Sequence, residues 1–61
     1  FPGTEEFLTL LEGTITVTAG NNITIMNKDD FLTYHSDIKH SIENTGKNKA
    51  VVHMVVRYKR L

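Results

Sequence analysis

The chain has 61 residues and a mass of 6.9 kDa, with seven Lys and Arg against seven Asp and Glu, so its formal net charge is zero. Balanced charge excludes the global basic excess that non-specific nucleic-acid binding needs. The absence of cysteine excludes a disulfide framework and any thiolate metal site, and no apolar run approaches the roughly 20 residues of a membrane helix.

In chain order, Phe1-Pro2-Gly3-Thr4 has neither cap nor leader character, and the chain reads as a piece of a longer protein, incomplete at its N-terminus. Glu6 to Leu11 is predicted as a strand, with Glu6, Leu8 and Leu10 on one face and Phe7, Thr9 and Leu11 on the other. A helix over Glu5 to Leu11 is the local alternative. Glu12-Gly13 is a tight-turn signal. Thr14 to Thr18 alternates strictly, so Ile15 and Val17 face a core and the threonines face water. Ala19-Gly20-Asn21-Asn22 is a turn, because Gly and Asn accept positive φ cheaply. Ile23 and Ile25 repeat the apolar alternation up to Met26, and Asn27-Lys28-Asp29-Asp30 turns the chain again. Phe31 to His35 is a short strand broken by Ser36-Asp37. His40 to Asn44 is another, with His40, Ile42 and Asn44 on one face. After the turn Thr45-Gly46-Lys47-Asn48, Ala50 to Tyr58 is the longest β-branched run. Its face of Val52, Met54, Val56 and Tyr58 is the choice for the core, which sends His53 and Arg57 outward or toward another subunit.

Short strands every eight to ten residues, separated by turns, predict one all-β domain over residues 1–61, a sandwich, jelly roll or small barrel. A chain of this size buries only about 60% of the surface its unfolded form exposes. With no cysteine staple, a metal, an oligomer interface or further chain is the expected remedy. Charge is unevenly placed. Residues 1–38 carry six acids and one base; residues 39–61 carry six bases and one acid. Internal balance within one barrel is the simplest reading, with self-association of the two parts as the rival. No nucleophile elbow, phosphate-binding Gly-rich loop or zinc-finger spacing is present. The rings Phe7, Phe31, Tyr34 and Tyr58 serve as core packing or as walls for an amphipathic ligand.

Two stretches together resemble the cupin family. In Pro2 to Gly13, six residues separate Glu6 from Gly13, as they separate the glutamate and glycine that end the family's first motif. In Asp29 to Asn44, His40 and Asn44 match the histidine and asparagine of the second motif. Asp29, His35 and Asp37 replace its glycine, proline and second glycine. The wording is most similar to the C-terminal cupin domains of bacterial helix-turn-helix regulators. The resemblance implies a small cupin-type β-barrel or jelly roll and an interior pocket lined by Glu6, Leu8, Leu10, His40 and Ile42. Cupins hold a divalent metal on two histidines and a glutamate of the first motif and a histidine of the second. Carried over, Glu6 and His40 are the ligand positions present, while Phe1 stands where a further histidine would be.

Three functions stand as expectations, the first two implied by the resemblance and the third by exposed apolar faces on the terminal strands. The first is an effector-sensing, dimerising domain of a transcription regulator, without catalysis and without a cofactor. It would be a cytoplasmic homodimer that binds a small-molecule effector and meets DNA only through a domain outside this chain, with no membrane contact. The second is a metal-dependent isomerase or dioxygenase using iron, manganese, nickel or zinc. The third is a purely structural oligomerisation domain. His35 is expected at the barrel mouth or simply exposed.

Overall fold

Alternation of apolar and polar residues governs the architecture. A computed structural model describes residues 3–58. Phe1, Pro2 and Lys59-Arg60-Leu61, the last three residues of the basic end Arg57 to Leu61, lie outside the described residues. Six strands follow one another: β1 (Glu5–Glu12), β2 (Ile15–Ala19), β3 (Asn22–Met26), β4 (Phe31–His35), β5 (His40–Asn44) and β6 (Val51–Arg57). They form two antiparallel three-stranded sheets, β4-β1-β6 and β3-β2-β5. The described residues contain no helix, so Glu5 to Leu11 is extended. As the central strand of its sheet, β1 buries Leu8 and Leu10 completely. The same segment as a helix would turn those two residues to different sides.

The core lies between the sheets. Leu8 and Leu10 meet Ile15, Val17 and Met26, and Leu32, Tyr34, Ala50 and Val52 pack against this cluster. Each such aliphatic side chain contributes about 1.5–3 kcal/mol on full burial. Ile15 and Val17 sit inside as the alternation predicts. Ile23 and Ile25 do not; they stand on the outer face, 72% and 65% exposed. Turn length is the reason. Residues directly opposite share a face, and the two-residue connection Gly20-Asn21 pairs Ala19 with Asn22, Val17 with Thr24 and Ile15 with Met26. The inner face of β3 therefore passes to Asn22, Thr24 and Met26. Gly20 has φ +59 at the first central position, as a type II′ turn requires.

On β6, Val52, Met54 and Val56 lie opposite Leu10, Leu8 and Glu6 and so share the inner face. Packing there is incomplete: Met54 stays 43% exposed and Tyr58, beyond the strand, 62%. No residue of β5 is buried either. Both are edge strands, and the tight core is centred on β1 and β2. His53 and Arg57 face outward. The acidic and basic parts of the chain meet within the sheet, where Glu5 is paired with Arg57 and their side chains approach to 3.9 Å.

Candidate functional site

Glu6 points inward from β1, one alternation before Leu8, and its side chain is only 12% exposed. Directly opposite on β4 is Tyr34. Its hydroxyl donates to Glu6 Oε1 at 2.5 Å. His40 opens β5 on the inner face, opposite Ala19. The connection before it is tied down from both sides. The Ser36 amide donates to the Thr4 carbonyl at 2.9 Å, the Gly3 amide to Asp37 Oδ2 at 3.0 Å, and the Gly20 amide to the Lys39 carbonyl at 2.9 Å. That anchoring aims the His40 ring at the acid: Nε2 lies 3.7 Å from Glu6 Oε2, and the ring centroid lies 5.5 Å from that of Tyr34.

Hydrogen-bond inventory gives this cluster its character. His40 Nδ1 is 2.8 Å from the Ile38 carbonyl, and a carbonyl only accepts, so Nδ1 carries the proton. In the neutral ring Nε2 is then a bare lone pair. It faces Glu6 Oε2, a second acceptor, at a distance too long for a direct hydrogen bond. Two acceptors turned toward each other need a donor between them: a proton on the ring, a water, or a hydroxyl or ammonium group of a ligand.

Burial first, and then the hydrogen bond to Glu6 and its negative charge, push the Tyr34 phenol well above the ordinary tyrosine range. The folded chain thus holds that proton more tightly than the unfolded chain. The resulting stability is fully present below pH 10, the ordinary tyrosine value, and is lost as pH rises above it. Wild type is expected to keep its advantage over Tyr34→Phe up to about pH 10 and to lose it progressively as pH rises from about 10 to 12. Urea midpoints of the two proteins that keep a constant gap across that range would refute the assignment.

Two open clefts adjoin the cluster, one of about 380 Å³ bearing Tyr34, Leu32 and Thr33 on one side and Asn22 and Thr24 on the other. His40 borders the second, with Lys39, Ser41 and Thr18. Asn21 lines both. Of the residues singled out by sequence, Glu6 and His40 come together. Leu8 and Leu10 are solid core beneath them and line neither of these clefts, and Ile42 is on the inner face of β5 at 38% exposure. His35 is exposed. The sequence offers Tyr34 only as core packing or a wall for a ligand, not as a partner of Glu6. Alternation within Phe31 to His35 places Leu32 and Tyr34 on one face, but the pairing of β4 with β1 that brings Tyr34 to Glu6 is invisible in that segment.

A family model described as Cupin domain matches residues 2–56. The chain belongs to the cupin family. No curated protein and no solved structure matches it. Within this cupin the motif positions acquire physical roles. Gly13 has φ +88, and a Cβ there would lie 2.7 Å from the Lys49 carbonyl oxygen. Asp29, in place of the motif's glycine, has φ 74, a conformation that Asp tolerates better than most side chains. Asp37, in place of the second glycine, accepts the Gly3 amide, which holds its carboxyl below the usual range. Asn44 closes the turn after β5 by accepting from the Gly46 amide and donating to the Asn48 carbonyl.

The divalent metal that cupins carry needs at least three protein donors. Among the described residues, no three His, Cys, Asp or Glu side chains converge for one. Tyr34 adds no phenolate, because its hydroxyl keeps its proton and donates it in a hydrogen bond to Glu6 Oε1. The described donor set of this cupin does not fit a resident metal.

Proposed function

We propose that this cupin domain is a non-catalytic binding module for a small polar molecule, serving as the effector-sensing and dimerising part of a bacterial transcription regulator. DNA contacts would belong to a helix-turn-helix domain outside this chain. The observation that carries the binding role is the facing pair of acceptors, Glu6 Oε2 and His40 Nε2 at 3.7 Å, beside clefts of mixed polar and apolar lining. Such a pair selects a ligand that donates a hydrogen bond, an alcohol or an amine, and Tyr34, bonded to Glu6, also lines the neighbouring cleft whose wall includes Leu32 and Val17. The regulatory role is supported by the resemblance of the Pro2 to Phe7 and His40 to Asn44 segments to regulator domains. A ligand there shifts a dimer equilibrium only through differential affinity for the two states.

Glu6→Gln is the informative variant. Its carbonyl can still accept from Tyr34, and its amide would itself donate to His40 Nε2, supplying internally the donor that the wild-type pair lacks. A panel of hydroxylated and amino metabolites screened by thermal shift should yield at least one stabilising compound. Its affinity should fall about tenfold or more in Glu6→Gln, with the fold intact by circular dichroism. A panel that produces no shift, or a hit that binds the variant equally well, refutes the reading.

A further inference from the structure

Four strands lie at sheet edges: β3, β4, β5 and β6. Edge strands present unpaired backbone groups, and natural proteins blunt them with ionisable side chains. β4 carries His35, β5 carries His40 and Glu43, and β6 carries His53 and Arg57. β3, Asn22-Ile23-Thr24-Ile25-Met26, carries none. It also bears the two most exposed isoleucines, Ile23 and Ile25.

Hydrogen-bond parity fixes what that edge offers. In a two-residue hairpin the closing pair, here Ala19 and Asn22, exchanges both backbone bonds, and bonding alternates from there. Asn22, Thr24 and Met26 therefore bond to β2, and the amides and carbonyls of Ile23 and Ile25 point to the free edge. The Gly20 amide bonding to Lys39 on the opposite side of β2 agrees with this alternation. We propose that β3 is the dimerisation edge, and that it pairs antiparallel with β3 of a second copy of this chain about a two-fold axis beside Thr24.

The segment is self-complementary in that register. Thr24 lies opposite the partner's Thr24 as a non-hydrogen-bonded pair. Ile23 then lies opposite the partner's Ile25 as a bonded pair, so every free amide and carbonyl of these isoleucines finds a partner. The isoleucine side chains meet on the outer face, and no ionisable side chain of the two strands opposes another. The two-fold makes the contact isologous and closed. Five residues of edge pairing bury little area, so the expected dimer is weak, roughly micromolar in strength, and concentration-dependent. The pairing also abuts the cleft that Asn22 and Thr24 share with Tyr34. This inference deepens the dimerisation half of the function proposed above and rests on it. It is independent of the ligand, so an experiment without ligand separates the two.

Sedimentation equilibrium of the 61-residue chain at about 10–500 μM should show monomer and dimer. Ile25→Lys should weaken the dimer at least about tenfold, whereas Phe31→Lys on β4 should leave it unchanged. The chain has no cysteine, so a Thr24→Cys variant reports one contact only. A non-hydrogen-bonded pair has Cα atoms about 4.5 Å apart, within disulfide range, and this variant should cross-link to a dimer on mild oxidation while Thr33→Cys on β4 does not. Monomer alone at every concentration would overturn the proposal. So would a dimer that survives Ile25→Lys, or equal cross-linking by Thr24→Cys and Thr33→Cys. Should Ile25→Lys fail to fold, the cross-linking pair decides alone.

Discussion

Exchange of Gly13 for alanine is expected to lower the unfolding free energy by about 2–5 kcal/mol. The left-handed backbone costs about 1–2 kcal/mol in any L residue, and overpacking adds about 1–3. The packing part is severe because the new Cβ would lie 2.7 Å from the Lys49 carbonyl oxygen and 2.9 Å from the Ala50 Cα, both backbone atoms. Neither can swing aside as a flexible side chain can. Gly20 supplies the contrast: its φ is also positive, but the nearest atom is the side-chain tip of Ile38 at 3.4 Å. Gly20→Ala should therefore cost distinctly less. A domain of this length has only about 3–9 kcal/mol in total at about 0.05–0.15 per residue, so Gly13→Ala should be substantially unfolded at physiological temperature. Urea midpoints in which Gly13→Ala equals or exceeds Gly20→Ala would contradict the clash.

Leu8→Ala should be comparably damaging, at about 2–5 kcal/mol. Leu8 is fully buried and lies between Leu32 and Met54 on the inner face of its sheet. Truncation removes apolar contact and leaves a cavity that the close-packed surroundings refill only in part. Leu11 is the internal control. It falls at the β-bulge between Leu10 and Glu12, is 47% exposed, and as alanine should cost well under about 1 kcal/mol. Near-equal denaturation midpoints for Leu8→Ala and Leu11→Ala would show that the core is elsewhere. The damage has a functional side, because Leu8 stands one alternation from Glu6 on the same face of β1. A softened floor there should also weaken the aim of the Glu6 carboxylate at His40.

Much of the sheet architecture is local and could be read locally. Phe31 to His35 and His40 to Asn44 are strands with the bounds their flanking turns suggest, and strict alternation in Thr14 to Thr18 placed Ile15 and Val17 inside. Where reading stopped, a non-local quantity was needed. The facing of Ile23 and Ile25 depends on how many residues the turn consumes, and one residue more or less reverses it. The openness around Met54 and Ile42 depends on what covers the edge strands β6 and β5. At the site, the approach of Glu6 to His40 was implied by the family motifs and by no spacing in the chain itself. Tyr34 completes the cluster only through the register of β1 with β4.

The strand order also fixes a sequence of events during folding. Of the strand pairings, only β2 with β3 joins neighbours along the chain; β1 must find β4 and β6, and β2 must find β5. Closing those longer loops costs entropy before any contact repays it. The Gly20-Asn21 hairpin should consequently form first, and its amides should be the earliest protected in pulse-labelled hydrogen exchange. Protection arising first in β1 would contradict this order. Glu6 and His40 belong to different sheets, so they meet only after both are assembled, and a half-folded chain presents neither the acceptor pair nor the clefts beside it.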